Sequence, residues 1–165
     1  MAVLAQRIMA TPIGKLRLVA TDAALVAILF PGERGAPPGR AESVARHPVL
    51  DLATRELGAY FAGKSRAFTT PMAARGTEFQ RLVWKALTEI PYGETATYSG
   101  IARAIARPLA CRAVGMANNK NPLSVMVPCH RVIGADGSMT GYGGGLPRKR
   151  WLLAHESATA ARPRS

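Results

Sequence analysis

A cysteine and a histidine stand side by side in the segment VMVPCHRVIG, residues 125–134. Cysteine attacks as its thiolate, so a reactive Cys129 needs a base or a positive environment, and His130 is the nearest base. In extended backbone, however, neighbouring side chains point to opposite faces, so direct pairing requires a local bend or a bridging water molecule. The competing interpretation is a structural cysteine at the end of the apolar run LSVMV, which predicts a buried strand or extended segment.

A histidine that acts as a base needs an acceptor on its other ring nitrogen. Glu156 lies in a predicted last helix, LPRKRWLLAHES, on the same face as Leu152 and Leu153, and is a candidate for this acceptor. The local sequence slightly favours another interpretation, in which Glu156 is a surface carboxylate near Arg148 or Arg150. The residues alone leave both interpretations open.

Metal binding, disulfide formation and membrane insertion have little support. The chain has three histidines and two cysteines, Cys111 and Cys129, without CxxC spacing. We therefore expect no metal and two free thiols, as in the reducing cytoplasm. No apolar run approaches the roughly 20 residues that span a bilayer. Gln6 and Arg7 interrupt the N-terminus, unlike the apolar core of a signal peptide. We expect a cytoplasmic protein with no membrane partner.

The chain is strongly basic, with a formal net charge of +12. Between Thr95 and Arg150 there are eight Lys or Arg residues and one acid, Asp136. This excess predicts a polyanionic partner such as nucleic acid. The alternative is a soluble basic face that has no specific ligand.

The first third of the chain predicts a β meander, with strands at VLAQRIMA, KLRLVA and LVAILF. A long loop is expected from PGERGAPPGR to His47, followed by an amphipathic helix over HPVLDLATRELGAYFAG and a short strand over RAFTTPM. A chain of 165 residues, 48% of them hydrophobic, can form one domain or two small lobes. We place a boundary near Gly76, where the pattern becomes mostly helical.

The segment TEFQRLVWKALTEI predicts a helix capped by Thr77. Two short helices are expected over TYSGIARAIA and LACRAVGMANN, with a break at Pro108, and this arrangement indicates a helix-turn-helix. The second helix is rich in Ala and Gly, which suits either close packing or approach to a narrow groove. Arg112, amid these small residues, either contacts a phosphate or pushes into the base stack.

Several motifs in one order resemble the O6-alkylguanine-DNA alkyltransferases: FQRLVWKALTEIPYGETATYSGIA, RAVGMANNKNP, PCHRVIG and GYGGGLPRKRWLLAHE. The resemblance covers Arg75 to Glu156 in detail, whereas the first lobe matches only in length and β pattern. It implies an α+β fold, with a small N-terminal ribonuclease-H-like β-sheet lobe at residues 1–75. A mostly helical C-terminal lobe with the helix-turn-helix is expected at residues 76–156. Residues 157–165 are expected to form a disordered tail.

The resemblance implies binding of double-stranded alkylated DNA through the minor groove and flipping of the damaged guanine into a pocket. The alkyl group would then move from guanine O6 to Cys129. His130 would be the base, acting through a water molecule, and Glu156 would orient it. Tyr98 would donate a hydrogen bond to the leaving guanine. The thioether product implies a protein that is consumed in one transfer and needs no cofactor.

The resemblance assigns further residues to the pocket and to DNA. Arg112 would fill the space left by the flipped base, and Asn121 would tie the recognition helix to the active-site segment. Val132 and Gly143 would read the edge of guanine, and Tyr142 would help to wall the pocket. Other implied DNA contacts are Ser99, Arg107, Ala113, Asn119, Arg131 and Ala135. We expect a monomer in solution that can assemble cooperatively on DNA.

Three other functions compete with this one. An alkyltransferase-like protein that binds damaged DNA without chemistry would lack the acceptor, whereas Cys129 is present. A Cys-His-Glu hydrolase does not account for the basic helix-turn-helix. A non-catalytic helix-turn-helix regulator leaves PCHR and LLAHE unexplained. Cys111 is interpreted as a small helix residue rather than a second acceptor.

Overall fold

The computed structural model describes residues 3–33, 39–139 and 141–162. The chain divides into two compact units, Met1–Arg75 and Gly76–Ser165. The first is built mainly from strands and the second mainly from helices. None of the described helices has the length and apolar character needed to cross a membrane.

The first unit is a four-stranded sheet with one helix packed against β1 and β2. The strand order is β3-β2-β1-β4, in which β4 runs parallel to β1 and the other pairs are antiparallel. The helix, α1, buries Leu50, Leu57 and Tyr60, and His47 caps it by accepting a hydrogen bond from the Leu50 backbone. The elements are β1 (Leu4–Thr11), β2 (Gly14–Ala20), β3 (Leu25–Leu29), β4 (Ala41–Ser43) and α1 (Pro48–Phe61).

The three strands predicted for the meander are confirmed, but β4 lies inside the segment predicted to be a loop. Its three residues have no strand-like hydrophobic pattern. They form a strand because the edge of β1 offers backbone partners, pairing Leu4 with Ala41. Residues 34–38 of the predicted loop lie outside the described residues.

The strand predicted over RAFTTPM is wrong, because this segment makes only a single bridge, between Met72 and Leu25. The backbone N–H groups of Thr69 and Thr70 donate to the Glu56 carboxylate instead of to a neighbouring strand. A side chain of α1 therefore satisfies the donors that a sheet would have used.

The second unit contains five helical segments, counting one short 3₁₀ turn, and a two-stranded parallel pair among its described residues. Thr77 caps its first helix, as predicted from the sequence, and also forms a capping box with Gln80. Buried Val83, Leu87 and Leu152 contribute to its core. The elements are α2 (Glu78–Thr88), β5 (Ala96–Thr97), α3 (Tyr98–Ala104), α4 (Cys111–Asn119), the 3₁₀ turn Cys129–Arg131, β6 (Val132–Ile133) and α5 (Leu146–Ala160).

Helices α3 and α4 are the pair predicted as a helix-turn-helix, and they contact each other and α2. Thr97 caps α3 by accepting a hydrogen bond from the Gly100 backbone. The indole N–H of Trp84 donates to the Ala117 carbonyl at 2.8 Å. This bond fixes α4 to α2 from its buried side, so the opposite side of α4 faces outward.

The run LSVMV is buried as predicted, but it is a turn and not a strand or extended segment. Val125 has a φ of 75°, in the left-handed region, and a bridge joins Ser124 to Val127. The Asn121 side chain donates to the Val127 carbonyl at 2.8 Å and accepts from the Leu123 backbone at 3.0 Å. A buried amide thus holds the turn together.

The disordered tail predicted at residues 157–165 is wrong for residues 157–160, because α5 continues to Ala160. Thr159 is buried, and its hydroxyl is hydrogen-bonded to the Tyr92 hydroxyl and to the His155 carbonyl. These contacts keep the last turn in the fold. Residues 163–165 of the predicted tail lie outside the described residues.

Candidate active site and DNA-contact surface

Cys129 begins the 3₁₀ turn, directly after Pro128. The Cys129 backbone donates to the Val127 carbonyl at 2.8 Å, and the Arg131 backbone donates to the Pro128 carbonyl at 3.0 Å. The backbone at Cys129 and His130 is therefore a turn and not the extended segment in which neighbouring side chains point to opposite faces. Both side chains are buried, with exposures of 4% and 0%.

His130 pairs with Glu156, which excludes a surface position for this carboxylate. The His130 Nε2 and Glu156 Oε2 atoms lie 2.7 Å apart, and neither side chain is exposed. Burial lowers the pKa of His130, and the hydrogen bond to Glu156 opposes this only in part. The imidazole is therefore neutral at pH 7, with its proton on Nε2, because a carboxylate can only accept. The other nitrogen, Nδ1, has no hydrogen-bond partner among the described residues.

Glu156 is also held by Arg131. Nε of Arg131 donates to Glu156 Oε1 at 2.7 Å, and Nη2 donates to Oε2 at 3.1 Å. Burial alone would raise the pKa of Glu156. The hydrogen bonds from His130 and Arg131, together with the Arg131 charge, outweigh this and hold the pKa well below its usual range. Glu156 is therefore a carboxylate that orients the histidine.

The DNA contact predicted for Arg131 is contradicted by its surroundings. The residue is buried, and Nη1 of its guanidinium donates to the Ile90 carbonyl at 2.7 Å. Nε and Nη2 donate to Glu156, and the guanidinium carbon lies 5.5 Å from the centre of the Tyr92 ring. Arg131 cannot reach a phosphate without breaking these bonds, so we assign it to positioning Glu156.

Lys149 belongs to the site and was not found in the sequence. It is completely buried, and its ammonium donates to the Val132 carbonyl at 2.6 Å. Burial lowers the pKa of Lys149, and a negative charge on the neighbouring Cys129 sulfur would oppose this shift. Lys149, Leu152 and Glu156 follow one another at intervals of three and four residues, so they share one face of α5. That spacing is the signal by which Lys149 could have been found.

Tyr98 and the Cys129 turn are brought together by a short backbone pair. Strand β5, directly before Tyr98, pairs with β6, directly after the turn, matching Thr97 with Ile133. The Tyr98 ring also lies against α4 at Gly115, where an added Cβ atom would lie 3.7 Å from the ring. The sheet and the glycine together set the position of the Tyr98 hydroxyl.

The other predicted pocket residues lie on both sides of the turn. Asn121 is buried between the end of α4 and the turn, where its two hydrogen bonds join these segments. Val132 is buried and offers its carbonyl to Lys149. Tyr142 is half-buried and Gly143 is exposed in the glycine-rich loop, whose Gly145 has a φ of 89°.

The remaining predicted DNA contacts are on the surface of the helix-turn-helix or near it. Arg107, Arg112, Ala113, Asn119 and Ala135 are exposed, and Ser99 is half-exposed. Within the described part of the chain, the Arg112 guanidinium makes no hydrogen bond or ion pair. We call the exposed side of α4 its outer face. It consists of Cys111, Arg112, Ala113, Met116, Asn119 and Lys120.

A metal site finds no support in the part of the chain that the structure describes. These residues contain no group of three His, Cys, Asp or Glu side chains that could hold an ion. Neither cysteine is in a disulfide, and Cys111 is exposed while Cys129 is buried.

Two family models match the chain. One is described as "6-O-methylguanine DNA methyltransferase, ribonuclease-like domain" and matches residues 4–74. The other, described as "6-O-methylguanine DNA methyltransferase, DNA binding domain", matches residues 78–158. Together they cover nearly all of the two units.

Similar proteins of comparable length carry a common name. The chain is 46% identical over 149 residues to the methylated-DNA–protein-cysteine methyltransferase of Methanosarcina barkeri, covering 90% of this chain and 94% of the relative. It is 49% identical over 146 residues to that of Mycolicibacterium paratuberculosis, covering 88% of each.

Solved structures show the same fold. The Mycobacterium tuberculosis O6-methylguanine methyltransferase has a TM-score of 0.87 at 42% identity, covering 98% of this chain and 96% of that chain. The OGT of the same organism in complex with DNA has a TM-score of 0.86 at 43% identity, covering 94% of each chain.

Proposed function

The chain belongs to the 6-O-methylguanine DNA methyltransferase family, and we propose that it repairs DNA by transferring an alkyl group from guanine O6 to the sulfur of Cys129. One observation carries this proposal. Cys129 is buried beside a neutral histidine that a buried carboxylate orients. A thiol in such a position can lose its proton and attack a carbon atom brought to it.

The chemistry begins with the thiol proton. His130 Nδ1 accepts this proton from Cys129 through one water molecule, while Glu156 holds the imidazole by the other nitrogen. Lys149 stabilises the resulting thiolate, because a buried ammonium near the sulfur offsets its negative charge.

The sulfur then forms a bond to the alkyl carbon as the bond between this carbon and guanine O6 breaks. The bonding electrons leave with guanine, which takes up one proton, and the proton held by His130 returns to solvent. The Tyr98 hydroxyl donates a hydrogen bond to the leaving ring and stabilises its developing charge. The thioether is stable to water, so each molecule of the protein acts once.

Delivery of the base requires its extrusion from the duplex, because O6 is not accessible to the buried sulfur inside the base stack. The outer face of α4 contacts the minor groove, and Arg112 fills the space that the flipped base leaves. Its side chain is exposed and unbound within the described residues, as this role requires. Double-stranded alkylated DNA is therefore the proposed partner.

The chain is proposed to act as a monomer in the cytoplasm. All the groups assigned to the chemistry come from the second unit of one chain, so a second copy is not needed for transfer. Both cysteines are free thiols, which suits a reducing compartment. Cooperative assembly along DNA stays a prediction.

The proposal is tested with duplex DNA that carries O6-methylguanine labelled in the methyl group. With excess DNA, we expect the label on the protein to reach one methyl per molecule and then stop. Cys129→Ser should take up none, whereas Cys111→Ser should behave as the unaltered protein. Transfer to Cys129→Ser, or repair of more lesions than there are protein molecules, would refute the proposal.

A further inference from the structure

The two most exposed large hydrophobic side chains among the described residues both lie on the helix-turn-helix. Leu109 is 99% exposed in the turn before α4, and Met116 is 68% exposed within α4. A single exposed hydrophobic residue needs no explanation. Met116, however, lies on the same face of α4 as Arg112, the residue proposed to fill the space that the flipped base leaves.

Met116 lies four residues after Arg112, so the two share one face of α4 and are separated by one turn. Side chains in a helix lean toward its N-terminus, so the Met116 thioether lies over the turn that carries Arg112. Ala113, also on the outer face, is too small to cover either side chain. The outer face therefore presents a cation and a flexible apolar side chain together.

The turn that carries Met116 also adjoins the proposed pocket. Gly115, directly before Met116, is where α4 lies against the Tyr98 ring. A nucleotide that passes from the duplex to Tyr98 therefore leaves the base stack near this part of α4.

We propose that Met116 is a second wedge, which packs in the minor groove against the nucleotide next to the flipped one. This inference rests on the proposed function. Four residues of helix span about 6 Å, and base pairs stack about 3.4 Å apart. Met116 thus reaches within two base steps of Arg112. Methionine adapts to irregular surfaces, and apolar wedges of this type unstack base steps in minor-groove complexes.

The occupant of the outer face is duplex DNA and not a protein. The helix-turn-helix carries Arg103, Arg107, Arg112 and Lys120 and no acid between Thr95 and Lys120. Such a face complements a polyanion whose groove has apolar sugar walls. A protein partner would bury Met116 without affecting the chemistry on DNA.

The test compares two substrates for each variant: duplex DNA with O6-methylguanine, and the free base O6-benzylguanine, which needs no flipping. We expect Met116→Ala to slow transfer from the duplex by about tenfold and transfer from the free base by at most about twofold. Met116→Leu should restore most of the duplex rate, because it keeps an apolar side chain of similar size. Leu82→Ala is the control, since Leu82 is an exposed aliphatic residue on α2.

A second readout reports the base stack directly. In the Cys129→Ser background, 2-aminopurine placed beside the lesion should brighten on binding, and Met116→Ala should reduce this increase. Equal losses on duplex and free base, an unchanged duplex rate, or no restoration by Met116→Leu would each overturn the inference. If the unaltered protein transfers no alkyl group from either substrate, the proposed function itself fails.

Discussion

The protonation of His130 controls the proposed chemistry at the scale of single residues. Its pKa is lowered below the ordinary value of 6.5, so the folded protein binds fewer protons here than the unfolded chain as pH falls below that value. Glu156 has a lowered pKa too, relative to an ordinary 4.5. Both groups therefore stabilise the fold at neutral pH, and acid removes this contribution, first at His130 and then at Glu156.

The rate of alkyl transfer should depend on the fraction of His130 that is unprotonated. We expect the rate with free O6-benzylguanine to be constant between about pH 8 and 7, and to fall only at a pH below the ordinary pKa of histidine, about 6.5. Stopped-time assays across this range measure it. A rate that already halves between about pH 8 and 7 would mean that His130 has a raised pKa.

Glu156→Gln should be strongly destabilising, because it leaves the buried Arg131 charge without its partner. Removing one member of a buried pair lowers the free energy of unfolding by about 3–5 kcal/mol. Urea denaturation measures the change. Glu42→Gln is the control, because its ion pair with Arg40 is exposed and should contribute less than about 1 kcal/mol. A similar effect of both substitutions would contradict the assignment.

Single residues also show what the sequence could and could not predict. Cys129, His130 and Glu156 were identifiable because thiolate chemistry requires a base and an orienting acid, and the order of the motifs supplied the rest. Arg131 was assigned to DNA through the family resemblance, yet its partner Glu156 is 25 residues away. Lys149 was missed because lysine is rarely buried. Long-range pairing and burial depend on packing, which local sequence does not contain.

At the scale of elements, Asn121 links the end of α4 to the turn before Cys129. Asn121→Ala leaves the Leu123 backbone N–H buried without a partner, whereas the Val127 carbonyl keeps the hydrogen bond from the Cys129 backbone. We expect the free energy of unfolding to fall by about 1–3 kcal/mol, the cost of one unsatisfied group. Thermal or urea unfolding measures it.

Asn119→Ala provides the matched control for stability, because Asn119 is exposed on the outer face of α4. Its unfolding free energy should change by less than about 0.5 kcal/mol. If the two asparagine variants unfold alike, Asn121 does not hold the turn.

Elements with a clear hydrophobic period were predictable, and those formed by backbone pairing were not. The strands of the meander and α1 carry their patterns in sequence, whereas β4 has three residues without one. LSVMV was predicted to be extended because apolar runs often are, but the Asn121 amide bends it into a turn. The last turn of α5 forms because Thr159 reaches Tyr92, a contact between distant residues.

At the scale of the whole molecule, the net charge of +12 makes DNA binding dependent on salt. The logarithm of affinity for undamaged duplex should fall linearly with the logarithm of salt concentration. Lys120→Ala should reduce the magnitude of this slope by about 0.9, the value for one lost phosphate contact. Fluorescence anisotropy at several salt concentrations measures the slope.

Lys64→Ala is the control, because Lys64 is an exposed lysine of the first unit and lies outside the proposed DNA-contact face. It should leave the slope unchanged. An equal change in slope for both lysines would mean that binding is driven by diffuse charge rather than by the helix-turn-helix.

The position of the transferred alkyl group decides whether Cys129 is the acceptor. The protein is incubated with duplex DNA containing O6-methylguanine, digested, and mapped by peptide mass spectrometry. We predict one methyl group, located on Cys129, in every molecule that has reacted. A methyl group on Cys111, or an unmodified Cys129 after the lesion has been repaired, would show that Cys129 is not the acceptor.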